Sequence, residues 1–191
     1  MDQLHSRNPA MELLAPAGSF AAFKAAMDEG ADAIYIGAPE LNARALARDF
    51  TYPEIAGLVR AAHRKGVKLY IAMNSLMKED EVEKAVKGLA MFEEIEVDAL
   101  IIQDLGLYHL ARNYFPKLSL HASTLMSAHN SLAVRKYMDL GFKRVVLPRE
   151  LTLDEIREVH RQTSAELEVF VHGAMCFSDC VLLLFSSMFG G

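Results

Sequence analysis

Ala99-Leu100-Ile101-Ile102-Gln103-Asp104 is the stretch that decides the fold: four apolar residues without alternation, then two polar ones. Strands buried on both faces of a parallel sheet have this form. The same phrase recurs six more times. Glu12-Leu13-Leu14-Ala15 is followed by Pro16-Ala17-Gly18, and Ala33-Ile34-Tyr35-Ile36 by Gly37. Leu69-Tyr70-Ile71-Ala72 precedes Met73-Asn74-Ser75, and Leu118-Ser119-Leu120 precedes His121-Ala122-Ser123. Val145-Val146-Leu147 runs into Pro148-Arg149-Glu150, and Leu167 to Val171 into His172-Gly173.

Helix patterns lie between these runs. Thr51-Tyr52-Pro53-Glu54 and Thr152-Leu153-Asp154-Glu155 are capping boxes, each followed by apolar residues at helical spacing. Val82, Ala85, Val86, Leu89 and Phe92 form another apolar stripe. Gly30, Gly66 and Gly141 stand where helices should stop. Alternating β and α units predict a parallel sheet. Seven near-identical units predict an α/β fold of the TIM-barrel-like (β/α) class, with the eighth strand not readable. An open Rossmann sheet is the alternative, but no G-x-G-x-x-G follows the first strand.

Composition narrows the function classes. The chain has 191 residues, 52% hydrophobic and 24% charged, with a formal net charge of -5. That balance fits an ordinary globular domain and argues against a free-standing nucleic-acid binder with a strongly basic face. Two cysteines give no disulfide framework. No apolar run reaches the ~20 residues of a membrane span, and Met1 to Ala10 has no apolar core of a signal peptide. The expectation is a cytoplasmic protein with no membrane partner.

In a parallel barrel the loops after the strands share one end, where chemistry sits. Those loops carry Asn42, Arg44, Asn74, Gln103, Asp104, His121, Ser123, Arg149, Glu150, His172 and Cys176. From this set His121, His172, Glu150, Arg149 and Asn74 are the candidate catalytic residues, with His121, His172 and Glu150 expected in one cavity. Structural alternatives stand beside these readings. Asp104 and Asn74 suit helix caps, and Arg149 suits an ion pair with Glu150 or Asp154. His63 and His160 suit solvated helix faces. Cys176 and Cys180 are the candidate metal ligands, yet a pair at this spacing equally suits two small buried hydrophobes. No H-E-x-x-H, G-x-S-x-G or Walker A pattern is present.

Several stretches together resemble the collagenase-like peptidase family of unknown catalytic type. They are Met11 to Gly18, Gly30 to Gly37 with Asn42-Ala43-Arg44, Leu118 to Thr124, Val145 to Leu151, and Glu168 to Cys176. The resemblance implies a TIM-barrel-like domain over residues 11–191, truncated at its C-terminal end, preceded by a disordered extension over residues 1–10. It implies oxygen-independent hydroxylation of RNA or of a quinone precursor, with a collagenase-like protease as the rival; an inactive fragment or a partner-binding subunit is the non-enzymatic alternative. It implies an RNA or small-molecule substrate, and the uncovered edge of a seven-strand barrel predicts homo- or hetero-oligomers. It further implies a four-iron four-sulfur cluster in full-length relatives, with Cys176 matching one ligand. Leu183 occupies the position of the next expected cysteine and Cys180 falls three residues early. No stable cluster is therefore expected in this chain alone.

Overall fold

A computed structural model describes residues 11–42 and 50–172. Seven strands pair in sequence order, every neighbour parallel. They are β1 (Leu14–Pro16), β2 (Ala33–Gly37), β3 (Lys68–Met73), β4 (Ala99–Ile102), β5 (Leu120–Ala122), β6 (Arg144–Val146) and β7 (Glu166–Glu168). Six helices connect them: α1 (Phe20–Asp28), α2 (Tyr52–His63), α3 (Val82–Glu94), α4 (Leu105–Tyr114), α5 (Ser131–Asp139) and α6 (Leu153–Gln162). Strand order without reversal separates this fold from an open doubly wound sheet, whose order reverses at a switch point. The seven strands curl into a partial barrel. Arg144 at the start of β6 reaches Glu12, just before β1, with Nη1 2.6 Å from Oε1.

The local devices read from the sequence are in place. Thr51 and Glu54 cap α2 reciprocally, as Thr152 and Glu155 cap α6. Gly30, Gly66 and Gly141 take φ of 80°, 71° and 90°, conformations that a side chain would strain. The stripe on α3 departs in one member. Val86 is exposed, and Gly88 takes the inward position beside Ala85, Leu89 and Phe92. His63 is not simply solvated: its Nε2 lies 2.8 Å from Asp98, whose carboxylate also accepts the Leu69 N–H.

Two apolar clusters follow from strand alternation. The larger joins outward strand residues such as Ile34, Ile71, Leu100, Leu120 and Val145 to the helices. The smaller lies inside the barrel and comprises Ala33, Tyr70, Ala99, Ile101 and Val146, with Leu14 and Tyr35 against it. Several expected strand boundaries shift by a residue or two, and two of the shifts bear on the site. His121 lies within β5 rather than after it, and β7 starts at Glu166 and ends at Glu168 rather than running to Val171. Both shifts matter for the site, because they change which residues face the barrel axis.

Among the described residues β1 and β7 each have a strand neighbour on one side only. Unpaired strand edges recruit other chains. The 191-residue chain is therefore expected to self-associate. Sedimentation velocity at two concentrations tenfold apart should show a rising mean sedimentation coefficient, whereas an unchanged monomer at both would contradict it.

Candidate functional site

The register places the inward side chains by depth. A barrel of eight strands with a shear of about 8 moves a level by about one residue per strand. Glu12, Lys68 and Glu166 then lie at the end where strands begin. Leu14, Tyr70, His121 and Glu168 form a middle layer from alternate strands, with Arg144 just below them. Tyr35, Ile101 and Val146 lie above as an apolar layer. Ala72, Ser123 and Phe170 come to the opposite end, where the strands finish.

The contacts agree with this order. Glu12 accepts hydrogen bonds from Arg144, from the Tyr70 hydroxyl at 2.8 Å and from Lys68 Nζ at 2.7 Å. Arg144 also donates to Glu166 at 3.1 Å and lies 3.6 Å from Glu168, close enough for ion pairing but too long for a hydrogen bond. Its guanidinium sits 5.4 Å from the centre of the Tyr70 ring. The Tyr70 ring also meets His121 edge to face, with ring centres 4.9 Å apart. His121 is 3% exposed, and its Nδ1 has no hydrogen-bond partner among the described residues.

Burial and charge set the ionisation of this group. Burial alone pushes the Glu12 carboxyl up, but bonds from Arg144, Lys68 and Tyr70 outweigh it and hold the carboxyl at about 2. Burial, then the Arg144 charge, pushes the His121 imidazole down to about 3, so it is neutral near pH 7. Burial raises the Glu168 carboxyl against the pull of Arg144. The Tyr70 hydroxyl is raised, chiefly by burial.

The sequence expectation of one cavity holding His121, His172 and Glu150 needs correcting. His121 faces the axis at mid-depth, below the apolar layer, because it lies inside β5. Glu150 stands on the rim, with Oε2 4.0 Å from Nε2 of His129. His172 is exposed beyond β7. Asn74 is half-buried in the mouth, and its backbone carbonyl accepts the Gln103 side-chain amide. Asp104 caps α4 through Leu107 N–H and also holds Met77 N–H, so it ties two mouth loops together. Ser123 caps a one-turn helix at Thr124–Met126 through Leu125 N–H. The Asn42 side chain packs over Gly37 so closely that a Cβ there would meet it at 2.0 Å. Only glycine allows that approach. Arg149 lies over the Phe170 ring, 4.3 Å from its centre.

Sequence reasoning missed the interior group of Glu12, Tyr70 and Arg144, and the rim residue His129. A charged residue opening a strand, as Lys68, Arg144 and Glu166 do, was the available signal. Arg44, Cys176 and Cys180 lie outside the described residues. Among the described residues no three metal-ligating side chains converge. They therefore offer no donor set that fits an iron–sulfur cluster.

A family model for peptidase family U32 matches residues 18–191. A 23S rRNA 5-hydroxycytidine synthase of Escherichia coli is 41% identical over 87% of this chain and 25% of its own length. An uncharacterised protease of Methanocaldococcus jannaschii is 40% identical over 87% of this chain and 41% of its own. The tRNA hydroxylation protein P of Haemophilus influenzae is 37% identical over 87% of this chain and 36% of its own. The chain thus spans a quarter to two fifths of these relatives. The structure of a U32 peptidase superposes with a TM-score of 0.70 at 19% identity, over 92% of this chain and 74% of that one. That likeness concerns the fold.

The ionisation of the interior group sets a pH dependence. His121 is depressed from about 6.5 in the unfolded chain, so stability is full above that value and falls as pH drops toward 3. Glu12 adds stability above about 4.5 that is lost as pH falls toward 2. Urea melts at pH 7 and pH 5 should show wild type losing stability, and His121→Phe losing less. Equal losses in both would contradict the assignment. Arg144→Met should cost about 1–3 kcal/mol at pH 7, because it removes the guanidinium facing the largely enclosed Glu168 and Glu12, although Lys68 still pairs with Glu12.

Proposed function

This chain belongs to peptidase family U32, and from that premise we propose that it is the barrel portion of a protein that hydroxylates pyrimidine bases in RNA. The observation that carries the reading is the identity of 34–41% with tRNA and rRNA hydroxylation proteins over most of this chain. The mouth of the barrel is the substrate site in this reading. Asn74, Gln103 and Asp104 fix the loops after β3 and β4, and Arg149, Glu150 and His172 stand around the opening. His172 supplies an exposed imidazole for proton transfer, Glu150 an acceptor and Arg149 a cation for phosphate. His121 acts from below by holding Tyr70.

The peptidase reading follows from the family name and the M. jannaschii relative. Ser123 accepts Leu125 N–H, and Thr124 Oγ1 lies 3.5 Å from the Leu147 carbonyl, so both contribute to the local structure of the mouth. The hydroxylation reading is preferred on the number of hydroxylation relatives the chain matches. In the proposed setting the protein is cytoplasmic, and no helix among the described residues is long and apolar enough to cross a membrane.

Cys176 and Cys180 are the chain's two thiols, and a four-iron four-sulfur cluster takes four. In this proposal the cluster belongs to the longer protein. Anaerobic reconstitution of the 191-residue chain with iron and sulfide should leave fewer than one cluster per monomer by absorbance and iron counting. A stoichiometric, stable monomeric cluster would overturn that.

The activity test is genetic. The full-length protein should restore hydroxylated pyrimidine nucleosides, measured by mass spectrometry of digested tRNA and 23S rRNA, in cells deleted for the cognate protein. His172→Ala and Arg149→Ala should each lower that yield at least tenfold at equal protein level. Casein or gelatin cleavage by the same preparation, with no hydroxylated nucleoside restored, would favour the peptidase reading instead.

A further inference from the structure

We propose that Phe170 and Arg149 together form the stacking platform for an unpaired pyrimidine base at the mouth of the barrel. The inference rests on the RNA reading above and names the part of the mouth that grips the base. Phe170 follows β7 with the parity of Glu166 and Glu168, both of which face the axis through Arg144. β7 ends two residues earlier, at Glu168, and the Arg149 contact places the Phe170 ring beside the loop that follows β6, at the mouth. Phe170 is 38% exposed, in an apolar run with Val169 at 40% and Val171 at 85%, so its ring is accessible to a ligand.

The Arg149 guanidinium lies 4.3 Å from the ring centre. That pairing has two consequences. It fixes the ring plane by attraction between cation and π face. It also places a planar, permanently charged group beside the ring, suited both to extend a stack and to meet a phosphate oxygen. Aromatic and arginine planes are how proteins hold unstacked bases of single-stranded RNA. The loops after the other strands carry groups able to read a base edge: the Asn74 loop tied to Gln103, and Glu150 with His129. The apolar layer of Tyr35, Ile101 and Val146 forms the floor. It separates the base from the charged interior below, so stacking energy is not spent against Arg144.

The test uses the full-length protein and two fluorescein-labelled hairpin RNAs, one with a loop of seven uridines and one with the same loop abasic. Anisotropy titrations at fixed salt should show wild type preferring the uridine loop. Phe170→Leu should lose about tenfold or more of affinity for that loop and keep its weak affinity for the abasic one. Phe170→Tyr should behave as wild type, which separates stacking from folding. Arg149→Lys keeps the charge but not the plane, and should fall between wild type and Phe170→Leu. Wild-type preference for the uridine loop with Phe170→Leu unchanged would overturn the platform and leave the RNA reading standing. Wild type binding neither hairpin, nor tRNA from the deletion strain, would overturn both.

Discussion

Arg144 enters the barrel from the first residue of β6, and everything polar inside the barrel is arranged around it. A guanidinium there cannot lose its proton and cannot reach bulk water freely, so its charge has to be met locally. Glu12, Glu166 and Glu168 meet it from β7 and from the segment before β1. Tyr70 covers one side and in turn positions His121. The bond to Glu12 joins elements 132 residues apart in sequence and draws β6 toward the start of β1. It therefore does for the curl of the sheet what backbone pairing does between neighbouring strands. An apolar replacement of the whole group could match its stability; removal of one member could not.

That dependence explains why the fold was legible and the site only partly so. Strand count, parallel pairing, capping boxes and glycine stops are local patterns, and each is written within about ten residues. Val145-Val146-Leu147 reads as a buried strand whatever lies across from it. Arg144 just before it looks like a surface residue at a strand entrance, because its partners are more than 20 and 130 residues away. His121 shows the same limit in a sharper form. A shift of one residue in where β5 ends decides whether its ring faces the mouth or the barrel interior, and strand boundaries are what periodicity fixes least. Phe170 was hidden for the opposite reason. It sits in an apolar run, Val169-Phe170-Val171, that reads as the end of a core strand, yet the strand stops at Glu168 and the run emerges at the mouth.

Membership in peptidase family U32 fixes the scaffold more firmly than the chemistry. The same barrel framework superposes on a U32 peptidase at 19% identity and, at lower scores, on lyases. A barrel of this kind carries many reactions through loop variation alone. The interior of this chain is divided by depth. Charge is gathered from the end where strands begin up to the middle layer, an apolar layer lies above it, and mixed polar groups ring the end where strands finish.

This division separates two kinds of substitution that sequence alone would mix. Glu12, Tyr70, His121 and Arg144 are chemically as suggestive as any catalytic set, with a neutral imidazole, a strongly held carboxylate and a raised phenol. Perturbed ionisation is often a mark of an active site, but ion networks that hold a fold produce it equally. Depth decides between the two here. Tyr35, Ile101 and Val146 stand between that group and the mouth, and a substrate as large as an RNA base would have to displace them to touch it. The shifted groups therefore hold shape: Arg144 and Glu12 tie the two ends of the sheet together, and Tyr70 packs against both Arg144 and His121. The groups nearer the opening are Asn74, Arg149, Glu150, His172 and the exposed ring of Phe170.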